Sequence, residues 1–596
     1  MNTFTSIKDI LSYYDTKERK QFLFDEVSAA ISSLPKDNPD SKICAFEELA
    51  FDFAEDCYGN SWGTYYGPQW TFTNKVTGED IYVPDIKDVT GETITYWEQR
   101  VNEAINPLLK MRYSGMVFEF KKKLLNLEPD YRTVKIAHIK SLIDVVDGDY
   151  CKYETNSLEY GERALELSIR IKNKELQQQS VKSYYSAHKR CSANDMQPGI
   201  WGMIFHSLIK HRECFEEYET ALVEEQLNRY ERLKKQSMEY GSQTDRYVHV
   251  LSDQIDLLSD YYHLRGDNIM IEPLLDTLLD AIKKSISLRG GMWGQGMIQR
   301  LQNRYRKFGF DKRANQLYVA MRDLGSMTLS ELKTTEFTVP LEKERMEAFF
   351  NEAFSGTKRE ALLYFLVQYL PRIDEEKKIL QEKAEQSPLL DLVSTFTIDS
   401  SGNTISRVGI GKDADRQKLY FSMYENMKFT SPLMHLHIIK MKEREIMTTE
   451  TMMQLIEGSG LIPEGHKAIV RKGFDAYLSE DYVVCCHLLV PQFETAIRRL
   501  FSLNGVNVMR PKRNPEEGNE YISLDSLLSS ENAMSFMKED MANYFRNVLT
   551  DQYGWNIRNL VCHGLIDSDG FNYVLADRLI HAFLMLGAFR NKDFYN

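Results

Sequence analysis

The sequence predicts an all-α protein. Two observations carry that expectation. Only 16 prolines interrupt 596 residues, and they sit mostly between apolar-periodic segments. Amphipathic helical patterns fill most of the chain, and Gly-containing corners separate one pattern from the next. Hydrophobic residues at 43% and charged residues at 27% are ordinary for a folded soluble protein, and 33 Tyr, 30 Phe and 6 Trp can bury a large core. At about 100–200 residues per domain the length predicts several domains.

Residues 1–150 read as a mainly helical domain. Its irregular part is Gly59 to Pro84, rich in Gly and aromatics, expected as short strands or a packed loop. A long helix pattern follows around Trp97 and Arg100. Residues 151–333 repeat a theme of amphipathic helix, Gly corner and second helix. Examples are Leu258 to Asp267 ahead of Pro273, and Tyr305 to Gly309 ahead of Ala314. The corners keep no fixed period, so the region reads as irregular helical hairpins, similar to a degenerate tetratricopeptide-type solenoid. The concave side of such a stack is the expected seat of a protein partner.

Residues 334–465 read as a mixed helical connector. A short β-rich segment is expected at Thr335 to Val339. Phe396 to Val408 alternates apolar and polar residues across Ser-Gly-Asn, the pattern of one β-hairpin. Gly409, Gly411 and Lys412 lack the spacing of a phosphate-binding loop. His435 and His437 would put two imidazoles on one side of a strand. With no acidic or Cys partner nearby in sequence, a metal site is not expected.

The N-terminal residues lack a basic start followed by an apolar run, and no stretch reaches about 18 uninterrupted apolar residues. A cytoplasmic protein without a membrane span is expected. Eight scattered Cys form no C-x-x-C pair and read as thiols in a reducing compartment. The net charge of −13 argues against a surface that coats nucleic acid. From Lys467 onward, however, 14 Lys and Arg face 16 Asp and Glu, so −11 of the total lies ahead of that point.

The last region, 466–596, carries the sharpest signals. Tyr482 to Leu500 is a strongly apolar helix, which Pro491 is expected to kink or break. Within it Glu494 and Arg498 are one turn apart and can pair, with Arg499 alongside. Arg510, Lys512 and Arg513 lie in a Pro-containing basic loop suited to phosphates. Asn556 to Gly564 reads as a two-turn helix with Asn556 as N-cap and Gly564 as stop. Asn559 and His563 then share a face, and Arg558 stands about 140° from His563. A cation, an amide and an imidazole beside a positive helix end suit a phosphodiester.

Arg558-Asn559-x-x-x-His563-Gly564 resembles the RNxxxHG signature of the family called domain of unknown function 4209. That domain resembles the HEPN superfamily, whose nucleases share an R-x(4–6)-H motif. Leu489 to Glu494, followed by Arg498, is similar to the helix preceding the family's motif. Trp97, Arg100, Arg112 and Tyr113 look like its N-terminal helical region. The resemblance implies a C-terminal HEPN-like four-helix bundle that cuts RNA, tRNA among the candidates, with no metal or cofactor. His563 would move the proton. Arg558 would hold the phosphoryl charge. Asn559 would orient phosphate or imidazole, and Glu494 would position Arg558 or Arg498. It implies a homodimer through the C-terminal helices, in an effector of prokaryotic antiviral defence. The alternative is a non-catalytic interaction scaffold, or a nucleotide-binding subunit of a multi-protein defence complex.

Overall fold

The computed structural model describes residues 4–589 apart from 17–18, 36–38, 56–60, 74–78, 240–243, 334–341, 388–394, 400 and 410–411. The fold is all-α, as expected. Among the described residues the strands form three two-stranded antiparallel sheets. These are β1 (Trp70–Thr73) with β2 (Asp80–Val83), β3 (Thr395–Ile398) with β4 (Thr404–Val408), and β5 (Met509–Pro511) with β6 (Asn519–Tyr521). The first pair occupies the aromatic stretch and the second the alternating segment. The third stands where a basic loop was expected. The β-rich segment expected at Thr335 to Val339 lies outside the described residues. No helix among those described is long and apolar enough to cross a membrane.

The chain divides into two compact units, Met1–Arg289 with Gly296–Leu317, and Gly290–Gln295 with Tyr318–Asn596. In the first unit the long pattern around Trp97 resolves into two helices, Gly91–Glu103 and Pro107–Leu125. Pro107 opens the second at a position where its missing N–H costs nothing, and the Asn106 side chain accepts from the Leu108 N–H at 2.9 Å. Arg100, Arg112 and Tyr113 are structural here. Fully buried Glu47 accepts from Tyr96 (2.5 Å) and Tyr113 (2.6 Å) and pairs with Arg100 at 3.4 Å. Burial raises the Glu47 carboxyl, and Arg100 pulls it back. Arg112 donates to the carbonyls of Ala50 and Phe53 and pairs with Glu55 at 2.8 Å.

Further along, the helical hairpins are present. Glu154–Arg170 packs on Lys174–Cys191, and Thr244–Leu264 on Ile271–Arg289. The anticipated corners close as left-handed glycine stops. Gly266 has φ +73°, with Asp267 N–H bonded to Tyr262 O at 2.9 Å. Gly309 has φ +83°, with Phe310 N–H bonded to Tyr305 O at 2.8 Å.

In the second unit one apolar core runs from Ala361 to Leu586. It crosses residue 465 without interruption, so the connector and the C-terminal helices are not packed as separate bodies. The elements that matter are α1 (Lys358–Gln368), α2 (Ala414–Phe429), α3 (Ser431–Glu443), α4 (Lys467–Leu478), α5 (Tyr482–Leu503), α6 (Glu531–Leu549), α7 (Ile557–Cys562) and α8 (Tyr573–Met585). α4, α5, α6 and α8 form the C-terminal layer, but α8 also packs on α1 and α3. Arg578 on α8 is the joint. It is 1% exposed and donates to Tyr369 O (3.4 Å) and Met427 O (3.0 Å). Those carbonyls end α1 and α2, so two partially negative helix ends face the guanidinium. One turn on, buried His581 accepts the Tyr544 hydroxyl at Nδ1 (2.6 Å) and donates from Nε2 to Leu366 O (3.1 Å).

His435 and His437 lie on helix α3, not on a strand, and face opposite ways. His435 Nδ1 bonds Asp577 Oδ2 at 2.7 Å. His437 is fully buried, with the rings of Phe349, Phe350, Phe354, Phe365 and Tyr369 centred 5.3–5.8 Å away. Neither of its ring nitrogens has a hydrogen-bond partner among the described residues. Burial holds its pKa down to about 4, from 6.5. The neutral imidazole is therefore stabilising above pH 6.5, and that contribution is lost as the pH falls from 6.5 toward 4, to the extent of about 3 kcal/mol. His437→Phe is expected to remove most of this acid sensitivity, read as a higher melting temperature than wild type at pH 5. Unchanged melting across that window would contradict the assignment.

Inside α6, Lys538 has φ 62° and ψ 161°, a region otherwise reserved for glycine. Its side chain is exposed. Lys538→Gly is expected to stabilise the protein by about 1 kcal/mol in urea unfolding.

Candidate functional site

The candidate site is built on α5 and α7. α5 runs 22 residues straight through Pro491, so the expected break is absent. Pro491 removes only its bond to the carbonyl of His487, and both residues lie on the exposed face, where water can serve that carbonyl. The opposite face buries Phe493, Ala496, Ile497 and Leu500. That burial sets Glu494 and Arg498 one turn apart at the edge of the core.

Glu494 bridges two guanidinium groups. It accepts from Arg498 at 2.5 Å and from Arg558 Nε at 3.2 Å. A second nitrogen of Arg498 donates to Ile522 O at 2.7 Å, and its guanidinium lies 4.8 Å from the centre of the Tyr521 ring. Arg558 also donates to Asn559 Oδ1 at 3.0 Å. Asn559 in turn donates to Asn556 Oδ1 (2.7 Å) and Thr550 O (3.3 Å). A continuous hydrogen-bonded path thus runs from the end of β6 through α5 to α7. Two cations and one anion leave a net +1, and the Arg558 side chain is 28% exposed. The remaining terminal nitrogen of Arg558 donates to no described residue. Such a group can take one phosphate or carboxylate oxygen.

α7 is the short helix expected, at six residues. Asn556 stands at its N-cap in the left-handed region (φ 53°), and its side chain serves Asn559 instead of a backbone N–H. At the other end Gly564 (φ +62°) stops the helix as expected. Leu565 N–H bonds Leu560 O at 2.9 Å, and Gly564 N–H bonds Val561 O at 3.3 Å. His563 is the C-cap. The helix end nearest the imidazole therefore presents carbonyls, and the expected positive helix end is not beside it.

His563 is exposed, and its ring makes no hydrogen bond to a described residue. The expected face holds, since His563 N–H bonds Asn559 O at 3.1 Å. The turn-neighbour of Arg558 is Cys562. Burial raises that thiol, Arg558 lowers it, and Glu494 raises it again. Sequence reasoning overlooked Cys562, although its i, i+4 spacing from Arg558 was readable. Tyr521 was overlooked as well, because a loop was expected there.

The other candidates do not join the network. Arg499 turns away and donates to Gly460 O at 2.8 Å. Arg510 is spent across the β5–β6 pair on Glu520 at 2.8 Å. Lys512 and Arg513 are exposed and make no ion pair with a described residue. Residues 509–521 hold three basic and three acidic side chains, so this hairpin is not a basic patch. Among the described residues no group of three His, Cys, Asp or Glu gathers as a metal site. Compared with known protein families, characterised proteins and solved structures, the chain matches none.

Proposed function

We propose that the chain is a HEPN-type endoribonuclease that works without a metal, an effector in prokaryotic antiviral defence acting in the cytoplasm. The observation that carries this reading is Arg558, held from two sides by Glu494 and Asn559 with a terminal nitrogen unspent, on the same short helix that ends at solvent-facing His563. In the proposed reaction the ribose 2′-oxygen attacks the adjacent phosphorus. The O2′–P bond forms, the P–O5′ bond breaks, the 2′-hydroxyl gives up its proton and the departing 5′-oxygen takes one. The products carry a 2′,3′-cyclic phosphate and a 5′-hydroxyl. Arg558 balances the charge on the phosphoryl oxygens. His563 handles one proton transfer. A homodimer would bring a second His563 for the other.

The test is incubation of purified protein with total RNA and with tRNA in EDTA, followed by analysis of the new ends. Wild type is expected to cut, leaving cyclic-phosphate ends. Equal cutting by wild type, Arg558→Ala and His563→Ala would refute the assigned roles. A strict requirement for Mg²⁺ would refute the metal-free mechanism.

A further inference from the structure

A second surface, in the first unit, has no part in that chemistry. β1 and β2 pair Trp70 with Val83 and Phe72 with Ile81. Directly opposed residues, and residues two apart, point to the same face of a sheet. All four therefore share one face, and all four are exposed: Trp70 by 63%, Phe72 by 56%, Ile81 by 49% and Val83 by 47%. The other face anchors the hairpin. Tyr82 sits 5.3 Å from the ring of Trp62 and accepts a hydrogen bond from Ser61 Oγ at 3.0 Å, and Trp62 packs on Phe53. The hairpin is thus fixed to its unit by one side, with its most apolar side chains turned to solvent on the other. A cluster of this kind, rimmed by polar residues, marks an interaction site.

We propose that this face binds a short segment of a partner protein in which apolar side chains alternate with Lys or Arg. Charge selects the partner. Residues 68–90 contain Glu79, Asp80, Asp85 and Asp88 against Lys75 and Lys87, a local net of −2 beside an apolar face that carries no charge itself. An anionic lipid surface is repelled by such a local surplus of carboxylates. A second copy would bring two such surpluses together. Area points the same way. With about 150–250 Å² per aromatic side chain, the exposed parts of the four residues offer roughly 400 Å². A stable dimer interface needs about 800 Å² per partner. The patch fits one short peptide segment, with Trp70 and Phe72 as anchors.

The test titrates the full-length chain, by fluorescence anisotropy, with a labelled peptide of alternating leucine and lysine and with its leucine–glutamate counterpart. The lysine peptide is expected to bind wild type. The Trp70→Ser/Phe72→Ser variant is expected to bind it at least about tenfold more weakly, because anchoring aromatics dominate such contacts. The glutamate peptide is expected to bind wild type poorly. Non-specific attraction to an acidic protein would leave wild type and variant equal, which overturns the proposal. So would self-association in sedimentation, or binding to phosphatidylserine vesicles, that the same variant abolishes. Should the double variant melt early, Phe72→Ser alone carries the comparison.

Discussion

His563→Ala is expected to slow RNA cleavage by about 10²–10⁴-fold, the usual contribution of a positioned acid or base. Single-turnover rates at saturating protein would measure it. Folding should be unaffected, because the ring is exposed and unbonded. Arg558→Ala is expected to act as strongly. Arg558→Lys should not rescue it, since one ammonium cannot replace a fork that holds Glu494 and Asn559 and still offers a donor to phosphate. Glu494→Gln separates positioning from charge. It leaves both guanidinium groups without their shared carboxylate, so the rate should fall while RNA binding holds or tightens. A Glu494→Gln variant that cuts at the wild-type rate would show that the bridge has no part in orienting Arg558.

The second large effect is on stability. Arg578→Met is expected to destabilise the second unit by about 1–3 kcal/mol, since the buried Tyr369 carbonyl loses its donor, whereas Met427 O keeps the Ser431 hydroxyl at 2.8 Å. Urea unfolding followed by circular dichroism would show it as a lower midpoint. Arg578→Lys should recover little, because one ammonium cannot span the ends of both α1 and α2. The opposite outcome is also informative. A methionine variant as stable as wild type would mean that burying the guanidinium costs as much as its hydrogen bonds return.

Local chemistry was legible in the sequence wherever one residue type decides the backbone. Gly266, Gly309 and Gly564 stop helices because only glycine enters the left-handed region freely. The Phe396 to Val408 alternation became β3 and β4. The pairing of Glu494 with Arg498 followed from spacing alone. Expectation failed where tertiary packing outweighs local preference. Pro491 breaks helices in isolation, but α5 is buried along its far side and stays whole. Arg510 and Lys512 looked like a basic loop because the pairing of β5 with β6, and so the reach of Glu520, is not written in a charge count. His437 was expected as one of two imidazoles on a strand, with no metal site, and its true setting was not legible. Its aromatic surroundings come from two stretches of chain far from it in sequence, 349–354 and 365–369, and no window of sequence shows them together with it.

The seat of Arg578 and His581 bears on how this protein can change over generations. The signature residues lie near the C-terminus, which invites the idea of a portable cassette. Yet α8 donates hydrogen bonds to the carbonyls of Leu366, Tyr369 and Met427, all ahead of residue 466. A gene fragment that begins at 466 removes those three acceptors together with packing that buries the Arg578 guanidinium and the His581 imidazole. Recombination would have to carry the chain from α1 onward as one block. The helices α1 to α3 and the helices that hold Arg558 are in that sense inherited together.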